Sequence, residues 1–294
     1  MTDNVVMFDE FDDERQIGAT HLGLPRIVLE GVDDLRLFER YWFASYMDRV
    51  DFVQANDLVQ GSGCTAVAAA VKKSREVDKI PAFGFVDRDW LFRHRDWDNL
   101  FALDDAVFEA ATWNEEFYTT RRWEIEAYLL EPDLMADLVK SFTRSGKGTE
   151  AECRAALERA LVEIENLLLV QRLFVACHVA GINRASNHLV HKLAEELEAE
   201  CEKELEAFTH ENGLAAAAAV RPLLDAIVDS SPGPDEDKWR WLLRFVDTKR
   251  LIGRLSMRFD TVGDIRWFLA TMMEKAGRRP QELEKRINEI LVAA

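Results

Sequence analysis

A chain of 294 residues, 48% hydrophobic and 31% charged, has room for one large domain or two modest ones, and its composition excludes a disordered chain. A net charge of −17 weighs against a passive nucleic-acid binder, because such proteins gain affinity by neutralising phosphates and are usually basic. An acidic enzyme can still take a nucleic-acid substrate if metal ions and a local basic strip handle the phosphates, and a basic protein partner would suit the charge as well.

The four cysteines, Cys64, Cys153, Cys177 and Cys201, form no C-x-x-C pair, which argues against a zinc site or a disulfide framework and fits a reducing compartment. The polar start, Met1-Thr2-Asp3-Asn4, does not read as a signal peptide. The longest apolar runs, such as Leu214 to Val220, are too short to span a bilayer, so a cytoplasmic protein with no membrane partner is expected.

Residues 1–22 read as an N-terminal extension with an acidic stretch from Asp9 to Glu14. Arg26 to Glu30 forms a short β-branched run. After Gly31, a helical pattern runs from Asp34 to about Tyr46, with Leu35, Phe38, Tyr41, Trp42 and Ser45 at helical spacing and Asp33 as its N-cap. A second strand is expected at Val50–Gln54, and Gly61-Ser62-Gly63 then opens an alanine-rich helix to about Glu76. The unbroken apolar run Ala82–Val86 reads as a buried parallel strand ending in Asp87-Arg88-Asp89. Further strands are expected at Leu100–Leu103 and Glu116–Thr120, and a helix from Trp123.

Beyond about Glu131 the strand signals stop. Glu150–Cys177, Ala185–Phe208 and Ala215–Asp229 have helical periodicity, and Ser230 to Pro234 is a breaker. A last helical block runs from Trp239 to the end, interrupted near Gly253 and at Asp260–Gly263. The expected fold is α/β: a parallel sheet flanked by helices over residues 23–135, followed by a mainly α-helical region, 136–294, for partner binding or dimerisation.

Four acids stand where such a sheet places its ligands, outside the carboxyl ends of the strands. Glu30 closes the first strand and Asp87 the third; Asp34 lies one helical turn after Glu30, and Asp89 two residues after Asp87. Converging carboxylates repel one another, and a divalent cation relieves that repulsion; oxygen ligands favour Mg2+ or Mn2+. A lone D-x-D is common, and Asp33 or Asp34 by itself is more often a helix cap than a ligand.

Ile27-Val28-Leu29-Glu30-Gly31-Val32-Asp33-Asp34 resembles the first toprim motif, an apolar strand followed by E-G-x-x-D. Phe83 to Asp89 resembles the second, an apolar strand followed by D-x-D, and Trp123 to Leu130 is similar to the I-E-x-Y-L-L segment of a toprim subgroup. That subgroup includes bacterial anti-phage effectors, with a site like that of the overcoming-lysogenization-defect nucleases, often encoded beside an ABC-type ATPase. Asp247 to Ile252 resembles its later G-K-x-L-L segment, with Thr248 in the place of the glycine. The likeness covers about residues 26 to 130. Where related nucleases often carry a lysine, this chain has Gly61-Ser62-Gly63-Cys64, leaving phosphate contacts there to backbone N–H groups, to Lys72 and Lys73, or to nothing at all.

The resemblance implies a Mg2+-dependent nuclease acting on tRNA, other RNA or DNA, the toxic effector of a defence system that kills infected cells. Its implied partners are an ABC-type ATPase and a second copy of the chain. It implies Glu30 as general base or outer metal partner, Asp87 and Asp89 as metal ligands, Asp34 in a supporting place and Glu126 as a second-metal ligand. Glu124 and Glu126 are two apart, so on a helix only one would face inward. Arg88, Arg93, His94 and Arg95, with Arg121 and Arg122, form a basic rim that could meet a phosphodiester or pair with Asp96, Asp98 and Asp104. Lys249, Arg250, Arg254 and Arg258 form a second basic stripe, from which Lys249 is a candidate substrate contact. His188 and His191 read as structural. No G-x-S-x-G, Walker A or G-x-G-x-x-G pattern occurs, so the chain itself is not expected to bind ATP. The alternatives are a non-catalytic interaction protein on a toprim scaffold, or a primase or strand-passing enzyme, for which the zinc motif and extra domains are missing.

Overall fold

The strand β1 (Arg26–Leu29) is buried along its whole length, and Ile27, Val28 and Leu29 have no exposed surface, as an apolar run covered on both faces requires. The computed structural model describes residues 23–142, 149–179, 194–212 and 235–293, with 189, 192, 222, 225–227 and 229–233 between them. The N-terminal extension, His188 and His191 lie outside the described residues. Contacts divide the chain into two units, Met1–Val86 with Asn114–Tyr118 and Arg279–Ala294, and Asp87–Trp113 with Thr119–Arg278.

In the first unit, β1 pairs in parallel with β2 (Asp51–Gln54) on one side and β3 (Ala82–Val86) on the other. The strand order is β2-β1-β3-β4, with β4 (Phe117–Thr119) joined through the Gly84 N–H and the Glu116 carbonyl at 2.7 Å. Helix α1 (Val32–Arg36) follows β1, α2 (Ala55–Leu58) follows β2, and α3 (Gly63–Glu76) crosses from β2 to β3. Small residues on α3, among them Ala66, Ala70 and the fully buried Val67, let it lie close to the sheet. A Cβ at Gly84 would stand 2.7 Å from Val67 Cγ1 and 2.9 Å from the Phe117 ring, so only glycine fits between that helix and the next strand. Phe38, Phe43, Phe52 and Phe85 form the aromatic part of the core, and Arg26 is held by Asp51 at 2.8 Å with both side chains buried.

The second unit holds α4 (Asp89–His94), α5 (Trp97–Leu100), α6 (Asp105–Thr112), α7 (Pro132–Ser141), α8 (Glu150–Val179), α9 (Ala194–Asn212), α10 (Asp235–Leu242), α11 (Thr248–Arg258) and α12 (Ile265–Lys275). Helix α13 (Gln281–Ala293) returns to the first unit, where Tyr46 donates its hydroxyl to Glu284 at 2.9 Å and Tyr118 donates to Glu282. The chain is therefore an α/β protein with a parallel sheet, flanking helices and a helical C-terminal region, as its alternating pattern predicts. Among the described residues no helix is long and apolar enough to cross a membrane.

Several local expectations need correction. Gly31, not Asp33, caps α1, and the expected helix through Tyr46 breaks into α1, a π-helical turn at Leu37–Trp42 and a 3-10 turn at Ala44–Tyr46. In the π turn an N–H reaches back five residues, as Phe43 does to Phe38 at 2.7 Å, so Leu37 aligns with Trp42 and Phe38 with Phe43. All four are buried, whereas Ser45 is exposed.

Leu100–Leu103 is not a strand. The Asp96 side chain caps α5 through the Asn99 N–H, and the Leu100 and Ala102 carbonyls accept from Arg88 instead of from a neighbouring strand. The helix expected from Trp123 is a 3-10 turn at Ile125–Leu129 followed by α7, because Pro132 takes an early position in α7, where its missing N–H costs nothing. Helix α11 runs straight through Gly253, while the break at Asp260–Gly263 is present.

Candidate functional site

The strand ends set the first part of the site. Val28 of β1 stands opposite Gly84 of β3 in parallel register; Glu30 directly follows β1, and Asp87 is joined to Val86, the last residue of β3. Glu30 is partly exposed and accepts a hydrogen bond from the Cys64 thiol at 2.5 Å, Cys64 lying in the first turn of α3. Asp34 is buried, and its Oδ2 accepts the Gly31 N–H at 3.2 Å. It thus closes the turn that follows Glu30, the capping use weighed for it from sequence.

In the second unit Asp87 and Glu126 come together with two residues less expected there. Asp87 is buried, and its Oδ1 accepts the Ile125 N–H at 2.9 Å, fixing the carboxylate against the segment that carries Glu124 and Glu126. Both glutamates are buried, at 4% and 3% exposure, against the expectation that only one would face inward. That expectation assumed a helix. Glu124 is extended (φ −141°, ψ 161°) and Glu126 sits in the first 3-10 turn, so helical spacing does not separate them.

Glu124 accepts the Lys249 N–H at 3.0 Å on one oxygen and the Lys249 ammonium at 2.7 Å on the other. Burial pushes Glu124 up to about 8, against the opposing pull of Lys249, with Asp247 and Glu126 adding to the rise. Burial acts to lower Lys249, but Glu124, Glu126 and Asp87 outweigh it and hold the ammonium above the ordinary lysine range. Glu126 Oε1 has Arg266 at 3.5 Å, whereas Glu126 Oε2 is buried with no hydrogen-bond partner. The Thr248 hydroxyl, on a residue with no exposed surface, is likewise buried and unpartnered. The pairing of Glu124 with Lys249 carries no local sequence signal, because it joins positions 125 residues apart.

The expected basic rim is absorbed by the fold at Arg88, Arg121 and Arg122, while Arg93, His94 and Arg95 stay exposed. Arg88 has no exposed surface, and its guanidinium donates to the carbonyls of Leu100 and Arg121 at 2.8 Å, Ala102 at 3.2 Å and Asn99 at 3.3 Å. It lies over the rings of Phe108 and Phe245, so its assignment to substrate is corrected to an architectural one. Asp89 opens α4, one turn before Arg93, whose guanidinium is 3.6 Å away. Arg95 is exposed and closes α4 in the left-handed conformation at φ 57°. Arg121 pairs with Asp105 and Glu109. The second stripe is also spoken for: Arg250 pairs with Asp247, and Arg254 and Arg258 share Glu163, with Arg254 and Glu163 both buried.

Arg122 donates to the Ala127 carbonyl at 2.9 Å and to Glu131 at 2.6 Å, and Arg240 holds the other Glu131 oxygen at 2.9 Å. Burial would push Glu131 up; the two guanidinium groups outweigh it and hold the carboxyl below its ordinary value. A lowered carboxyl stabilises the fold above its unfolded value of 4.5 and loses that contribution as pH falls through the folded one. Glu131→Gln is therefore expected to unfold at lower urea than wild type at neutral pH, with the difference shrinking steadily below pH 4.5. A difference independent of pH would contradict the pairing.

Compared with known proteins, the chain matches no family model, no curated protein and no solved structure.

Proposed function

We propose that the chain is a Mg2+- or Mn2+-dependent nuclease that hydrolyses phosphodiester bonds in RNA or DNA, with Asp87, Asp89 and Glu126 of the second unit serving the cation. The observation that carries this reading is Glu126, a buried carboxylate with one oxygen that has no hydrogen-bond partner, set among the buried carboxylates of Asp87 and Glu124. Such an oxygen is costly to bury unless something else takes it, and an all-oxygen donor set suits Mg2+ or Mn2+.

When bound, the cation would supply charge stabilisation at the phosphate under attack. The chain's own residues divide the remaining tasks. Asp87 is oriented by the Ile125 N–H, and Glu126 offers its Oε2. Glu30, carried past the end of β1 by the turn that Asp34 closes, is assigned as the base that takes a proton from water. Lys249 offers a cation to the phosphate. The proposal extends to a toxic defence effector, homodimeric when active and controlled by an ABC-type ATPase; the acidity of the chain keeps passive binding to nucleic acid weak.

The test is direct. The purified chain should cut RNA or DNA in Mg2+ or Mn2+ and neither in EDTA, and Glu30→Ala should remove the cutting while leaving the thermal midpoint near that of wild type. A chain that cuts nothing with either cation, alone or with the ATPase partner, would favour the non-catalytic interaction protein.

A further inference from the structure

We infer that Glu124 is a positioning residue: a buried carboxylate that ties the Lys249 ammonium to the edge of the acidic centre, so that this lysine meets a phosphate of the bound strand. The inference rests on the phosphodiester reading above and adds to it a residue that the motifs do not single out.

Both oxygens of Glu124 are committed to Lys249, one to its ammonium at 2.7 Å and one to its backbone N–H at 3.0 Å. That double grip fixes the N-terminal turn of α11 and the lysine head together, and it costs the lysine most of its rotamer freedom before any ligand arrives. Glu124 is held in turn from its own side. Its carbonyl accepts the Ala127 N–H at 3.0 Å, and the preceding Trp123 N–H donates to the Leu243 carbonyl at 3.0 Å. The anchor is 4% exposed, whereas more than half of the Lys249 side chain faces solvent, so the cation is fixed from below and open from above.

An ammonium held among carboxylates is otherwise an odd use of a buried glutamate. Asp247 already caps α11 through the Arg250 N–H at 3.0 Å, so Glu124 is not needed as that helix's N-cap. Lys249 also feels Asp87 and Glu126, the two carboxylates proposed to serve the cation in this unit. A lysine free to swing would be drawn onto those acids or out into solvent. One tied to Glu124 keeps a place beside them, where a phosphate drawn to the metal also needs a positive neighbour.

The experiment measures binding of fluorescein-labelled single-stranded RNA and DNA oligonucleotides with Ca2+ in place of Mg2+, across a salt series, for wild type, Lys249→Ala, Glu124→Gln and the double variant. Each single variant is expected to weaken binding several-fold and to reduce the slope of log affinity against log salt by about one, the signature of one lost phosphate contact. The double variant should lose no more than either single variant. Acetylation of Lys249, followed by mass spectrometry, should be faster in Glu124→Gln, which reports release of the ammonium in the folded chain without reference to nucleic acid. If Glu124→Gln binds as wild type or more tightly, as removal of a negative charge alone would cause, the inference is overturned and the nuclease reading stands. If wild type binds neither oligonucleotide, the phosphodiester reading falls and the inference with it.

Discussion

Arg88→Met is expected to destabilise the second unit by about 3–5 kcal/mol, seen in urea denaturation as a lower midpoint with the slope little changed. Methionine fills much of the same space but offers no donors. Four carbonyls, those of Leu100, Arg121, Asn99 and Ala102, would lose the guanidinium that now satisfies them in a place closed to water. Each orphaned buried acceptor costs on the order of 1–3 kcal/mol, and part of the sum is recovered because a desolvated charge is removed as well. Lysine is not a conservative replacement. A single ammonium cannot reach acceptors spread around a planar fork, nor lie flat over Phe108 and Phe245. If Arg88 met substrate instead, Arg88→Met would leave the urea midpoint unchanged and weaken nucleic-acid binding.

Glu126→Gln is expected to have opposite effects with and without cation. In EDTA the variant should be more stable than wild type by roughly 1–2 kcal/mol, because it removes a buried negative charge beside Glu124 and replaces a carboxylate whose Oε2 has no partner. Arg266 keeps Asp264, so the loss on that side is small. With Mg2+ or Mn2+ at about 100 times its dissociation constant, wild type should gain about 2.7 kcal/mol and the variant much less. Stability given up in the empty site and regained on binding is what distinguishes a ligand from a structural acid. Thermal melts of both chains in EDTA and in either cation decide the matter. A variant that is weaker in EDTA and still stabilised by cation would remove Glu126 from the site.

Much of the fold is legible along the chain because strands and helices write their burial locally. The runs Arg26–Leu29 and Ala82–Val86 carry enough apolar residues to be covered on both faces, and Gly84 marks where α3 and β4 approach too closely for any side chain. The π turn was hidden for a definite reason. Phe38 and Trp42 are four apart, which reads as an α-helix, and only the reach of the Phe43 N–H back to Phe38 brings Leu37 level with Trp42 and Phe38 level with Phe43. Leu100–Leu103 looked like a strand because its residues are apolar, but which partner takes its carbonyls is not a local property.

The acids divide in the same way. Sequence by itself placed Glu30 and Asp87 at the ends of β1 and β3, since a strand that ends in a carboxylate is a local fact and parallel neighbours align their ends. For Asp34 it left two uses open, a helix cap or a supporting place in the site. Only the tertiary structure decided which charges are already spent. Arg88 is consumed by backbone carbonyls, Arg254 and Arg258 by Glu163, and Arg121 by Asp105 and Glu109. Tertiary structure likewise buried Glu124 and gave it Lys249, across 125 residues of chain. The physical reason is that a charged residue's role depends on desolvation and on partners brought from distant segments, and neither quantity has a period or a motif in the sequence.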